Sequence, residues 1–244
     1  MSEIEIRFCS TLDEFKQCVA LEGQIWGFDI AELVPLPLLV VMSETGGQVI
    51  GAFEGPQMIG FVAALAAYRD GRVFLHSHMA AVLPTYRDRG IGRRLKLEQR
   101  ADALRRGIEL VEWTFDPLEI KNAFFNIERL GAICRRYLPN HYGRTTSPLH
   151  AGLPTDRLVA EWWVSTPRVE AVIVGRGLAR SARCERILVP ATIDELKRSQ
   201  PTEAERVQTE LRERFLDLFA RGRAVTGFER VDAGGAYLLV RSAN

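Results

Sequence analysis

The residues best suited to chemistry in this chain gather between Val73 and Glu112, in VFLHSHMAAVLPTYRDRGIGRRLKLEQRADALRRGIELVE. Arg87-Asp88-Arg89-Gly90-Ile91-Gly92 is a basic turn with two glycines, set between an apolar run and an amphipathic one. A strand that feeds a helix through such a turn leaves unpaired backbone N–H groups at the helix N-terminus. Those donors and the positive end of the helix dipole suit an anion, and Arg87, Arg89, Arg93 and Arg94 add full charges around it. Upstream, His76 and His78 lie two apart, so in a strand they share one face. Histidine titrates near neutral pH, where a general base is useful. Glu112 and Asp116 put carboxylates on the next apolar run. Two histidines at this spacing bind zinc only with ligands from elsewhere, and no Cys or His spacing supplies them, so no metal is expected.

The flanking patterns say what must hold these residues. Val73 to Val82 lacks long charged side chains and is bounded by Gly71 and Pro84, as suits a buried strand. Ile91, Leu95, Leu104 and Ile108 recur at roughly helical spacing behind the glycine turn. Before this stretch, Ile4 to Cys9 alternates like a half-buried strand, and Ser10 or Thr11 can cap a helix over Leu12 to Trp26. On that helix Trp26 reads as a core residue and Glu22 as a solvated one. Pro35 and Pro37 lead into a second, short helix. Gln48 to Phe53 and Met58 to Tyr68 form a hairpin around Gly55-Pro56. After the central stretch come a strand over Glu109 to Phe115, a helix from Lys121 to Leu130 stopped by Gly131, and strands over Ala132 to Tyr137 and Leu158 to Val164.

Arg-x-x-Gly-x-Gly between a strand and a helix resembles the acyl-CoA pyrophosphate loop of the GNAT acyltransferase superfamily. The order β-α-α-β-β-β-α-β-α-β-β over about the first 165 residues is that of the GNAT fold, a mixed α/β sheet. Asn122-Ala123 and Leu130-Gly131-Ala132 resemble the superfamily's Asn-Ala...Leu-Gly-Phe segment. The resemblance implies two parallel strands, Val73 to Val82 and Glu109 to Phe115, that splay apart to admit acetyl-CoA or another acyl-CoA as cosubstrate. The free backbone of Met79, Ala80, Ala81 and Val82 would pair with pantetheine, with an N–H near Ala80 polarising the thioester. Arg87, Arg89, Gly90, Ile91, Gly92, Arg93 and Arg94 would hold the pyrophosphate, and Asn122 would complete the cofactor contacts. It also implies a base on the strand before the loop, for which His76 ranks first, then His78, then Glu112. The tyrosine usual four residues before Gly131 is Ile127 here. Tyr137 or Tyr142 could substitute for it, and Cys134 as an acyl-enzyme nucleophile is the weakest reading.

The implied activity is acyl transfer, of acetyl or a larger group such as succinyl, to the amine of a small molecule by direct attack. A non-catalytic acyl-CoA-binding protein is the alternative. Residues 166–244 lie beyond the superfamily pattern. They read as a folded α/β extension, with helices over Ile193 to Ser199 and Glu203 to Ala220 and a hairpin over Val225 to Val240. It is expected to pack on the core as a structural cover, and could instead mediate a homodimer or extend the sheet. Gly175-Arg176-Gly177 is no dinucleotide loop, since no strand-helix-strand unit surrounds it.

Thirty-two basic and thirty-one acidic side chains leave a net charge of +1, so nothing draws the whole chain to nucleic acid or anionic membrane. Glu98 and Asp102 interrupt the basic face of the Arg87 to Arg106 segment, which argues further against a nucleic-acid surface. Cys9, Cys18, Cys134 and Cys184 are scattered, which fits packing rather than a disulfide framework. The opening MSEIEIRFCS is acidic where a signal peptide would be basic and then apolar, and no apolar run approaches a membrane span, so a cytoplasmic protein is expected.

Overall fold

A computed structural model describes residues 3–178 and 183–241. The chain divides into two units, Met1–Glu112 with Thr146–Pro148, and Trp113–Thr145 with Leu149–Asn244. The first unit opens with β1 (Ile4–Phe8) and α1 (Leu12–Trp26). Thr11, not Ser10, is the cap: its hydroxyl accepts from the Glu14 N–H while the Glu14 carboxylate accepts from the Thr11 N–H, a complete capping box. Arg7 pairs with the same carboxylate, and this hydrogen-bonded ion pair pulls the Glu14 pKa down to about 2. Gly27 ends the helix in the left-handed region at φ 62°. Glu22 departs from the expectation of a solvated residue. It is buried, and both its oxygens accept from the Val34 N–H at 3.2 and 3.1 Å, so it ties the α1 flank to the chain entering α2 (Leu36–Glu44).

β2 (Gln48–Glu54), β3 (Gln57–Arg69) and β4 (Arg72–Val82) form an antiparallel meander beside β1, in the order β1-β2-β3-β4. β3 is buried at every residue from Met58 to Ala64, so helices cover both faces there. Beyond Leu65 the strand emerges into solvent. α3 (Ile91–Arg105) packs Ile91 and Leu95 into the core. Leu104 does not join them as its spacing suggests: it is exposed, and Gln99 and Ala103 continue the buried stripe at the next helical steps. β5 (Leu110–Phe115) then pairs with β4 in parallel.

In the second unit α4 (Ile120–Phe124) runs on through a wider π-helical turn, Phe125–Arg129, and stops at Gly131 with φ 82°. β6 (Ile133–Leu138), β7 (Arg157–Trp163), α5 (Pro167–Ile173), β8 (Glu185–Pro190), α6 (Ile193–Ser199), α7 (Pro201–Ala220), β9 (Arg223–Val231) and β10 (Gly234–Arg241) follow. Their strand order is β7-β6-β9-β10-β8. Of the three roles left open for the C-terminal extension, extending the sheet is the one the backbone adopts: β9 pairs with β6 at Cys134–Val225. α7 lays Ala204, Gln208, Leu211, Phe215 and Leu218 inward, and Phe215 stacks on Tyr137 and meets Tyr237 edge-on. Arg212 anchors the helix through two bonds to the fully buried Asp156. Among the described residues no single helix is long and apolar enough to cross a membrane.

Candidate active site

β4 carries the site because it is irregular at one point. Its register against β3 shifts between Ala63–Met79 and Ala64–Ser77, so His78 is an extra residue, a β-bulge. A bulge bends its strand and re-aims the side chain there. The pairing of β4 with β5 runs through Leu75–Val111 and His76–Glu112, and β4 then continues for six residues to Val82 with its pairs made to β3. Bulge and parting therefore coincide. The strand edge from Ser77 to Val82 that β5 would have occupied offers backbone donors and acceptors to an extended ligand. Met79, Ala80, Ala81 and Val82 all lie on it.

His76 and His78 stand on the same side of β4, ring centroids 6.1 Å apart. The His76 side chain is 25% exposed, and its Nδ1 lies 4.0 Å from Glu112 Oε1. Glu112 is buried and held by Arg69, whose Nη1 and Nη2 reach its two oxygens at 3.0 and 2.7 Å. This bidentate clamp engages both carboxylate oxygens, so Glu112 serves better as a fixed negative charge beside His76 than as a base itself. Arg69 also rests on the Phe74 ring at 4.5 Å. His78 meets solvent on one side, yet desolvation by the protein around it holds its pKa below the ordinary histidine value, so at neutral pH its ring is uncharged.

Between the two histidines, Ser77 points the other way, into the core. Its hydroxyl receives a 3.1 Å bond from Lys96 of α3, which also donates to Gln99 Oε1 at 2.7 Å. Gln48 joins through Gln99 O and Asp102 Oδ2. Burial pushes the Lys96 pKa well below 10.5. The unfolded chain therefore holds one more proton at this residue until pH 10.5 is reached. Its share of stability is complete above 10.5 and is lost as pH falls toward the folded pKa. Over the pH unit below 10.5, the unfolding free energy of the protein should rise more steeply than that of Lys96→Met, by about 1 kcal/mol. Denaturant titrations across that range check this, and parallel slopes would mean that Lys96 keeps its proton when folded.

At the loop, a 3₁₀ turn over Pro84–Tyr86 leads to Gly90, the N-cap of α3, in the left-handed region at φ 75°. Gly90 has no side chain to cap the helix, so the first turn of α3 lacks the N-cap hydrogen bond that a Ser, Thr, Asp or Asn would give it. A Cβ at Gly90 would meet nothing within 4 Å, and one at Gly92 only Val82 Cγ2 at 3.8 Å. The two glycines thus keep the helix end bare rather than relieve a clash. Arg87 and Arg89 are exposed there, Arg87 bonded to Val82 O and Arg89 over the Tyr86 ring. Arg94 donates to Ile4 O at 2.7 Å.

The Acetyltransferase (GNAT) family model matches residues 19–131. This chain carries a GNAT acetyltransferase domain. The family uses acetyl-CoA, and the match over residues 19–131 supports N-acetyl transfer of the GNAT type. Solved structures with this fold include an N-acetyltransferase from Staphylococcus aureus (TM-score 0.54, 13% identity, 67% of this chain and 100% of that one). NAA60 of Arabidopsis thaliana, in complex with a bisubstrate analogue, aligns at TM-score 0.52 and 16% identity over 66% of this chain and 98% of its own. The NatC complex bound to Gag peptide and CoA aligns at 0.53 and 17% over 65% and 97%. No curated protein sequence matches the chain.

The remaining residues of the GNAT reading fall in the second unit. Asn122 lies exposed on α4. Ile127, in the tyrosine's place, is wholly buried. Tyr137 is buried too, its hydroxyl given to Asp156 at 2.6 Å and its pKa raised by burial and that bond, so it is no ready proton donor. Tyr142 is exposed, its hydroxyl 3.1 Å from Thr114 Oγ1. Cys134 is buried with its thiol pKa raised by desolvation, the opposite of what a nucleophile needs. Asp116 is taken up by the Leu118 N–H and Lys197. Among the described residues no group of three His, Cys, Asp or Glu is placed to hold a metal ion.

Sequence reasoning missed Arg69 and Lys96. Arg69 lies just past the strand expected over Met58 to Tyr68, and β3 runs through it. Lys96 read as one more charge on a charged helix. Its place beside Leu95 and three residues before Gln99, on the buried stripe, was the available signal.

Proposed function

We propose that the GNAT domain transfers an acyl group from acyl-CoA to the primary amine of a small molecule, with His76 as general base. The observation that carries this is the juncture on β4: pairing with β5 ends at His76–Glu112, one residue short of the intervening Ser77 and the bulge at His78. An acyl-CoA supplies an activated thioester. The chain supplies positioning around it, with the N–H groups of Ile91 and Gly92 at the helix start and the cations Arg87 and Arg89 for the phosphates, and the edge of Met79 to Val82 for an extended amide-bearing arm. That set fits the ligand: anion donors at a helix end, strand donors and acceptors leading from it, and titratable rings farther down the strand.

His76 accepts the proton that the acceptor ammonium loses, the free amine then attacks the thioester carbonyl to form the C–N bond, and the C–S bond breaks with CoA leaving as its thiolate. Glu112, held 4.0 Å away by Arg69, stabilises the positive charge the ring then acquires. The quarter-exposed ring suits a slender amine. Cytoplasmic residence belongs to the same proposal, since acyl-CoA is an intracellular metabolite class. The test is release of free thiol from acetyl-, propionyl- and succinyl-CoA with a panel of amino acids, polyamines and a short peptide. Thiol release at saturable rates with a small amine is expected. Turnover of the peptide alone would replace the small-molecule acceptor by a polypeptide one.

A further inference from the structure

Lys96, in the second turn of α3, is only 3% exposed, although an amine loses much by leaving water unless its hydrogen bonds are replaced. The replacements are specific. Its Nζ donates to Ser77 Oγ at 3.1 Å and to Gln99 Oε1 at 2.7 Å. Gln99 is itself wholly buried, and its carbonyl and Asp102 Oδ2 accept from the Gln48 side chain at 3.1 and 2.7 Å, which moors the cluster to β2 as well. Every one of these residues, with His76 and Glu112, belongs to the first unit. Of the buried residues of β4, Phe74, Leu75, Ser77, Met79 and Ala81, Ser77 alone is polar. A polar pair in an apolar layer is satisfied in one register, because a slip of one residue would carry the hydroxyl to the other face of the strand and leave the amine without it. That register is the irregular one. Ser77 stands between His76, the last β4 residue paired with β5, and the bulge at His78.

We propose that Lys96 is a positioning residue for the transfer: by holding Ser77 it fixes the bulge of β4, and through the backbone that Ser77 shares with its neighbour it fixes where the His76 ring stands against Glu112. This deepens the transferase reading above and rests on it. Gly90 to Gly92 start α3 where the phosphates are proposed to lie, and Lys96 follows about one turn later on the same helix. A single rigid element thereby sets the spacing between the phosphate donors and the base. Precision at this level matters, since a catalytic group must be held to about 0.5 Å of its productive place and a misplacement of about 1 Å costs about 100-fold in rate.

The test is a pair of double-mutant cycles read by kcat for thiol release at saturating amine. Lys96→Met and Ser77→Ala should each lower kcat by about 10- to 100-fold, while CoA affinity by calorimetry stays within about threefold of the parent, because Ile91 and Leu95 still seat α3 in the core. Combined with His76→Ala, either should slow the reaction by less than about twofold further, since a residue that acts through the base has nothing left to position once the base is gone. Ser77→Ala removes a single hydroxyl, so it stays informative if Lys96→Met fails to fold. Losses that multiply in the double variants, or a Ser77→Ala kcat within about twofold of the parent, would overturn the positioning while leaving the transferase reading intact. A His76→Ala enzyme as fast as the parent would instead remove the base assignment, and the action of Lys96 through it. Absence of thiol release from the parent with every amine would fell the transferase reading, and carbon–proton NMR of the imidazole rings would then decide the tie alone. His76 resonances displaced in Lys96→Met uphold it, and resonances coincident with those of the parent overturn it.

Discussion

His76→Ala should lower kcat by about 100- to 10,000-fold, the range by which a positioned general base accelerates proton transfer, while CoA affinity stays unchanged. The expectation follows from geometry. His76 is the last β4 residue paired with β5, it is open to solvent on part of its ring, and it faces a carboxylate that Arg69 holds in place. Steady-state thiol release gives kcat, and calorimetry with CoA gives the affinity. His76→Gln controls for packing, since it keeps a polar side chain of similar reach but cannot titrate, and it should be as slow as the alanine variant. Activity within about threefold of the parent in both variants would move the base to His78, whose ring lies 6.1 Å away. His78 has a lowered pKa through desolvation, so a His78 base would keep activity to lower pH than an unperturbed histidine would.

Gly92→Trp should weaken CoA binding by at least about 100-fold while leaving thermal stability near that of the parent. Several charge-assisted bonds from the α3 N-terminus to phosphate are each worth about 1.5–3 kcal/mol, and losing even one or two reaches that factor. The fold has no stake in this glycine. Gly92 lies within the helix, and a Cβ there meets only Val82 Cγ2 at 3.8 Å. Gly92→Ala is the matched control: alanine favours a helix over glycine by roughly 1 kcal/mol, so it should melt no lower than the parent. Gly90 differs, since its φ of 75° strains any side chain, and substitution there would confuse loss of fold with loss of ligand. If Gly92→Trp bound CoA as tightly as the parent, the phosphates would not lie at this helix end.

The two halves of the proposed site sit at different depths of legibility. The loop is local chemistry: glycines, arginines and a helix start are contiguous in the chain, and their physics needs no distant partner. The environment of the base is non-local. Arg69 and Glu112 are 43 residues apart, and Lys96 reaches Ser77 from 19 residues away. No pattern in either neighbourhood announces such a pair, because charge pairing depends on sheet register, and register here shifts by one residue at His78. The bulge itself follows from how β3 and β4 meet. The same cause explains Glu22, a carboxylate on an amphipathic helix that local pattern assigns to solvent and that the chain entering α2 covers.

By itself the sequence determined the order of elements, the cap of α1 to within one residue, the glycine stop after α4, and the glycine-rich, basic start of α3. Each is set by backbone conformational preference or by hydrogen bonds within a few residues. Only the tertiary structure decided that β4 parts from β5 at His76, that Glu112 is clamped, that Lys96 is buried, and that the C-terminal strands lengthen a sheet. Those features arise from contacts between segments far apart in the chain, whose free energies depend on which surfaces the folded backbone brings together.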